Sequence, residues 1–121
     1  MAWQFSSEHA ERALGVRDEF IAALERLDAQ VDTFVIKLIF TEVVANVVRH
    51  APGPIELFLD ADGDDFWLSV FDRGPQFEWN ARLPEDPYVE GGRGLFLIDR
   101  YARKIVVERR PLGGNVVRIQ L

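Results

Sequence analysis

The sequence predicts an α+β two-layer sandwich, in which a mixed β-sheet is covered on one face by helices. Two observations support this fold class. Two helical patterns come first, and alternating strand patterns with one short inserted helix follow. Helices and sheets that each bury one face pack most simply as two layers. At 121 residues the chain has room for one core, so we expect a single domain over residues 1–121.

A short strand and an amphipathic helix open the chain. Residues 3–5 alternate in polarity, which is typical of a strand, and Ser6 and Ser7 offer an N-cap for the helix that follows. Gly15 weakens the early part of this helix. Apolar residues recur along it at spacings of three and four, which predicts one buried face: Ala10, Ala13, Leu14, Phe20, Ile21, Leu24 and Leu27.

A second helix is predicted from Asp32, which is a good N-cap. The helix should run to about Ala51, because Pro52 disfavours helical geometry in the residue before it. Residues 34–48 are apolar almost all the way round the helix. We therefore expect this helix to be buried.

The rest of the chain is predicted to be strands around one helix. The strands are Ile55–Asp60, Phe66–Phe71, Ile105–Arg109 and Asn115–Leu121. The first two flank a turn at residues 62–64 and form a hairpin. Asp72–Gly92 is a long loop without a steady period, and such loops in small domains usually have a function, often as a lid. Leu95–Ala102 is predicted to be a short helix.

Composition and charge exclude several function classes. Hydrophobic residues make up 48% and charged residues 28%, as in soluble globular proteins. Fourteen basic residues against 20 acidic ones give a net charge of −6, which disfavours nucleic-acid binding. The chain lacks cysteine, so a disulfide, a thiolate metal site and a cysteine nucleophile are excluded. Without a visible signal peptide or membrane-spanning run, we expect a cytoplasmic protein that does not associate with membranes.

A polar stripe interrupts the apolar second helix. Glu42, Asn46 and the pair Arg49-His50 lie on one face at spacings of three and four. A carboxylate in a buried helix is costly unless it is paired or serves a site, so the stripe would line a polar cavity for a metal ion or an anion. A solvent-facing side of an amphipathic helix explains the stripe equally well.

Two glycine-containing segments and a basic run also carry candidate chemistry. Asp72 and Gly74 follow an apolar strand, where they would suit close approach of a ligand or form a plain turn. Gly91–Gly94 opens a helix, which favours an anion there, although a flexible hinge explains it as well. A basic run fits a solvated face or an acidic protein partner better than a nucleic-acid patch: Arg100, Arg103, Lys104, Arg109 and Arg110.

The order of these motifs resembles the Bergerat-fold ATPases, which include histidine kinases, gyrase and Hsp90. FTEVVANVVRHA is similar to their N box, DRGPQF to the first glycine box and GGRGLFLI to the second. The resemblance covers nearly the whole chain and is closest to the anti-sigma factor serine kinases. It implies the Bergerat fold, ATP and Mg²⁺ as cofactors, and serine-kinase activity in a partner-switching pathway. It also implies an anti-sigma factor antagonist of the STAS type, a sigma factor or similar regulator, and a second copy in a homodimer as partners.

The resemblance implies a role for individual residues. Glu42 falls at the catalytic base and Asn46 at the Mg²⁺ ligand, while Arg49 would reach the phosphates. Asp72 matches the carboxylate that recognises adenine. The remaining nucleotide-binding positions are Gly74 beside the adenine ring, Gly92, Arg93 and Gly94 in the phosphate-facing hinge, and Asn115 near the base.

Two departures from the family pattern leave an alternative open. Gln76 replaces the second glycine of Asp-x-Gly-x-Gly, and Asn115 replaces the usual threonine after Gly114. Neither departure touches Glu42 or Asn46, so loss of activity is not implied. They are nevertheless the best support for a catalytically inactive partner-binding module of the same fold. An ATP-binding subunit of a two-component histidine kinase would require a separate phosphoacceptor chain.

Overall fold

The computed structural model of the protein describes residues 1–75 and 93–121. Within these residues, five strands form one sheet and the helices form a second layer, so the α+β class is confirmed. The elements are β1 (Ala2–Ser6), a 3₁₀ helix (Ser7–Arg12), α1 (Ala13–Arg26), α2 (Thr33–His50), β2 (Pro54–Asp62), β3 (Asp65–Phe71), α3 (Arg93–Tyr101), β4 (Lys104–Arg109) and β5 (Asn115–Gln120).

The strand order is β1-β2-β3-β5-β4, and every strand pair among the described residues is antiparallel. The prediction of a mixed sheet is therefore wrong. β3 and β4 run in the same direction and are connected through α3, an arrangement that is typical of two parallel strands paired side by side. However, β5 folds back on β4 and lies between them. The predicted hairpin is confirmed, with Asp62 opposite Asp65 in the β2–β3 register.

The first predicted helix is divided into two helices. Ser6 Oγ accepts a hydrogen bond from Glu8 N at 3.3 Å, and the chain then kinks at His9, with φ −119° and ψ 49°. Ser7 holds this segment to the loop after α2, because its Oγ accepts from Gly53 N at 2.9 Å and its N donates to Gly53 O at 2.9 Å. This long-range anchor explains why a continuous helix does not begin at the predicted cap.

α2 is the central helix of the helical layer. The predicted N-cap is confirmed, since Asp32 Oδ1 accepts from Phe34 N at 3.0 Å and from Val35 N at 3.4 Å. The buried residues of α2 share one hydrophobic core with alternate residues of β2, which are buried: Ile55, Leu57 and Leu59. Phe20 joins the layers, with its ring centroid 5.6 Å from that of Trp3 and 5.4 Å from that of Phe40. No helix in the described part of the chain is long and apolar enough to cross a membrane.

Candidate functional site

A buried carboxylate lies where β3 ends. Asp72 is 1% exposed, and its backbone continues the ladder with β5, because Asp72 N donates to Asn115 O at 3.0 Å and Asn115 N donates to Asp72 O at 3.2 Å. Asp72 Oδ1 accepts from Gly74 N at 2.8 Å and from Asn115 Nδ2 at 3.0 Å. Asp72 Oδ2 is buried without a hydrogen-bond partner among the described residues. An unpaired buried carboxylate oxygen is costly, so this atom is available to a ligand that donates a hydrogen bond.

Asn115 supports Asp72 from β5. Its amide is buried, and Nδ2 donates both to Asp72 Oδ1 and to Pro75 O, each at 3.0 Å. Asn115 Oδ1 accepts from Arg109 Nη1 at 3.3 Å. Because an amide nitrogen carries two hydrogens, the protein already engages both donors. The arrangement makes Asn115 a support for Asp72, and its direct contact with a base stays a prediction.

Two glycines allow the backbone around Asp72 to pack closely. A Cβ on Gly74 would lie 2.8 Å from Ala51 Cα, so this glycine lets the loop contact the end of α2. Gly114 has φ +101°, and a Cβ there would overlap Asp72 O. Sequence reasoning assigned Gly74 to contact with the base and gave Gly114 no role of its own. The signal for Gly114 was the Gly113-Gly114 pair just before β5.

Two arginines that sequence reasoning placed on a solvated or partner-binding face hold the Asp72 loop. Arg109 Nη1 donates to Gly74 O at 2.8 Å. Arg110 Nη1 donates to Asp72 O at 3.0 Å, and its guanidinium carbon lies 5.4 Å from the centroid of the Phe71 ring. Arg109 is nevertheless exposed and Arg110 is half-buried, so the solvated interpretation holds in part, while Nη1 of each residue is used within the protein.

The polar stripe of α2 contains a buried amide. Asn46 is 7% exposed, and its Nδ2 is buried without a hydrogen-bond partner among the described residues. Glu42 lies one turn earlier on the same face and is half-buried, whereas Arg49 is exposed in the last turn. A solvent-facing stripe does not account for a buried, unpaired amide. Rotation of that amide would offer either an oxygen to a cation or a donor to a phosphate.

The structure thus brings Asp72, Gly74 and Asn115 into direct contact, close to the end of α2. Arg93 and Gly94 are the first two residues of α3, which packs against α2. Gly92 and Gln76 lie outside the described residues.

Metal ligands are sparse in the part of the chain that the structure describes. No group of three or more histidine, aspartate or glutamate side chains there could hold a metal ion by itself. Magnesium is commonly held by one or two protein oxygens together with substrate phosphates and water. The Asn46 amide fits that kind of shared site.

The sequence matches the family described as the histidine kinase-like ATPase domain over residues 5–121. A search of curated proteins gives no match to the chain.

Solved structures of histidine kinases share the fold. Acinetobacter baumannii histidine kinase AdeS has a TM-score of 0.58 at 15% identity, covering 100% of this chain and 66% of that one. The histidine kinase domain of the Erythrobacter litoralis EL346 blue-light activated histidine kinase has a TM-score of 0.55 at 19% identity. The match covers 90% of this chain and 60% of that one. The catalytic domain of histidine kinase ThkA has a TM-score of 0.57 at 18% identity. The match covers 100% of this chain and 96% of that one. The chain therefore spans less than two thirds of the first two proteins.

Proposed function

The chain belongs to the family of histidine kinase-like ATPase domains, and on this premise we propose that it is an ATP- and Mg²⁺-dependent protein serine kinase that acts as an anti-sigma factor. Its substrate is a serine of an anti-sigma factor antagonist of the STAS type, and in its other state it sequesters a sigma factor or a similar regulator. Family membership indicates an ATP-binding, kinase-like function. The serine specificity and the partner switch rest on the resemblance of the three sequence boxes.

The unpaired Oδ2 of Asp72 is the observation that carries nucleotide binding. A carboxylate oxygen accepts hydrogen bonds and does not donate them when ionised. The exocyclic amine of adenine is a donor, whereas guanine has a carbonyl oxygen at the same position. A buried acceptor at the end of β3 therefore favours adenine, and Asn115 and Gly74 hold Asp72 Oδ1 so that Oδ2 stays available.

The stripe on α2 supports phosphate chemistry at the other end of the nucleotide. When bound, ATP supplies the γ-phosphoryl group and Mg²⁺ neutralises charge on the phosphates. Asn46 would hold the metal through its amide oxygen, and Glu42 would accept the proton of the attacking serine hydroxyl. Arg49 and the segment Gly92–Gly94 contact the phosphates in this proposal.

Calorimetric titration with ATP and Mg²⁺ tests the nucleotide site. We expect saturable binding to the wild-type protein and affinity about tenfold or more lower for Asn46→Ala, because a hydrogen bond or ligand to a charged group is lost. Lys37→Ala, on the exposed side of the same helix, is the control and should bind as the wild type does. Absence of binding at millimolar ATP would refute the kinase proposal.

Transfer of label from γ-labelled ATP then tests the activity. Label on a serine of the antagonist protein supports the proposal, and label on a histidine supports a two-component kinase subunit instead. Normal ATP binding without transfer to either partner would favour the inactive partner-binding module.

A further inference from the structure

We propose that Arg109 is a positioning residue that stabilises the arrangement in which Asp72 Oδ2 faces the nucleotide base, and that it thereby strengthens the preference for adenine. The inference rests on the proposed function, because it takes Asp72 as the residue that recognises the base. Arg109 and Asn115 are directly opposite each other in the β4–β5 register, where Arg109 Nη1 lies 3.3 Å from Asn115 Oδ1. Asn115 Nδ2 in turn lies 3.0 Å from Asp72 Oδ1.

The donors and acceptors in this chain of contacts permit only one orientation of the Asn115 amide. A guanidinium group donates hydrogen bonds and accepts none, so Arg109 requires the amide oxygen. The amide nitrogen is then directed to Asp72 and Pro75. If the amide were turned by 180°, its oxygen would face the carboxylate and its nitrogen would face the guanidinium. Asp72 Oδ1 and Pro75 O already require the amide nitrogen, and Arg109 adds a donor on the opposite side that further stabilises this orientation.

This orientation decides which carboxylate oxygen is free. Asp72 Oδ1 accepts from both Gly74 N and Asn115 Nδ2, whereas Oδ2 is buried and unpaired among the described residues. Without a donor from Asn115, the carboxylate loses one of the two bonds that prevent its rotation. The carboxylate could then rotate, and neither of its oxygens would keep a fixed position as the acceptor for the base.

The same nitrogen of Arg109 also holds the loop. Nη1 donates to Gly74 O at 2.8 Å as well as to Asn115 Oδ1. Because one nitrogen makes both bonds, a lysine ammonium with three donors satisfies the same acceptors. Arg109→Lys therefore preserves the function, and Arg109→Met removes the donor while keeping a long, flexible side chain.

The test compares the binding of ATP with that of inosine triphosphate, which carries a carbonyl oxygen in place of the exocyclic amine. A contact to a charged acceptor corresponds to an ATP preference of roughly tenfold to a hundredfold in the wild-type protein. We expect the ATP preference to fall by about threefold or more in Arg109→Met and to be retained in Arg109→Lys. Arg103→Met is the matched control, because Arg103 immediately precedes β4 at the end opposite Arg109, about 20 Å away along the strand direction.

The ratio of the ATP affinity to the inosine triphosphate affinity distinguishes a positioning role of Arg109 from a general role in the fold. If Arg109→Met weakens ATP and inosine triphosphate equally, the residue is merely structural and the inference is overturned. A variant that binds both nucleotides as the wild-type protein does also overturns it, while leaving the proposed function intact. Failure of the wild-type protein to bind ATP refutes the proposed function instead.

A double-variant cycle gives a second measurement. Asn115→Ala removes the residue through which Arg109 acts, so adding Arg109→Met to it should change the ratio by less than about twofold. Multiplicative losses in the double variant would show that Arg109 acts independently and would contradict the inference. Circular dichroism melting of each variant identifies those that remain folded.

Discussion

Adjacent glycines in the β4–β5 turn provide a matched test of how the site is assembled. Gly113 and Gly114 have φ values of +96° and +101°, so alanine at either position is strained by the backbone alone. Their surroundings differ, however. A Cβ on Gly113 would meet nothing within 4 Å, whereas a Cβ on Gly114 would overlap Asp72 O and lie 2.9 Å from Arg73 Cα.

The two substitutions should therefore differ in their effect on stability. Each introduces a non-glycine residue at positive φ, which costs about 1–3 kcal/mol. Gly114→Ala adds a backbone collision that side-chain rotation does not relieve, and overpacking of this kind costs about 1–3 kcal/mol more. For a domain of this size, each 1 kcal/mol corresponds to a fall in Tm of roughly 3–5 °C.

Urea unfolding and ATP calorimetry on the two variants provide the assay. Gly113→Ala should lower the free energy of unfolding but leave ATP affinity close to that of the wild-type protein. Gly114→Ala should lower it further and also weaken ATP binding, because the collision displaces Asp72. Equal losses of stability in the two variants, or normal ATP affinity in Gly114→Ala, would refute the assignment of Gly114 as the contact that positions Asp72.

Two further predictions concern α2. Glu42→Gln keeps the size of the side chain but removes the proton acceptor, so phosphotransfer should fall by about 10²–10⁴-fold with little change in ATP affinity; a variant that retains its rate would exclude Glu42 as the base. Asp32→Ala removes the bonds to Phe34 N and Val35 N and should lower the free energy of unfolding by about 1 kcal/mol. Urea unfolding measures this loss, with the exposed Asp64→Ala as the control. Equal stability of the two variants would contradict the role of Asp32 as the N-cap.

Features that depend on neighbouring residues were predictable from the sequence. The cap at Asp32 and the end of α2 before Pro52 follow from local backbone chemistry. The β2–β3 hairpin follows from alternation around a tight turn. The stripe of Glu42 and Asn46 follows from helical periodicity, and the burial of Asn46 shows that this position of the stripe does not face solvent.

Features that depend on distant contacts were not predictable in this way. The kink at His9 accompanies the bonds between Ser7 and Gly53, 46 residues later in the chain. The bonds from Arg109 to Gly74 and from Arg110 to Asp72 span 35 and 38 residues. A basic run in an acidic chain is usually solvated, and the contacts of these two arginines with the Asp72 loop follow only from the strand order, which places β5 beside β3.

In the proposed function, the candidate site has a base end around Asp72 and a phosphate end along α2, and different elements position the residues of each end. The base end depends on the segment from Arg109 to Asn115, since that segment supplies every side-chain and backbone contact from β4 and β5 to Asp72 and Gly74 described above. The phosphate end depends on α2, which carries Glu42 and Asn46. Changes in the turn should consequently alter base selectivity, whereas changes in the α2 stripe should alter phosphotransfer and the metal-dependent part of nucleotide affinity. Among the described residues, Gly74 contacts both parts, because it packs on Ala51 at the end of α2 while its carbonyl accepts from Arg109. A side chain at position 74 should therefore impair both ends together.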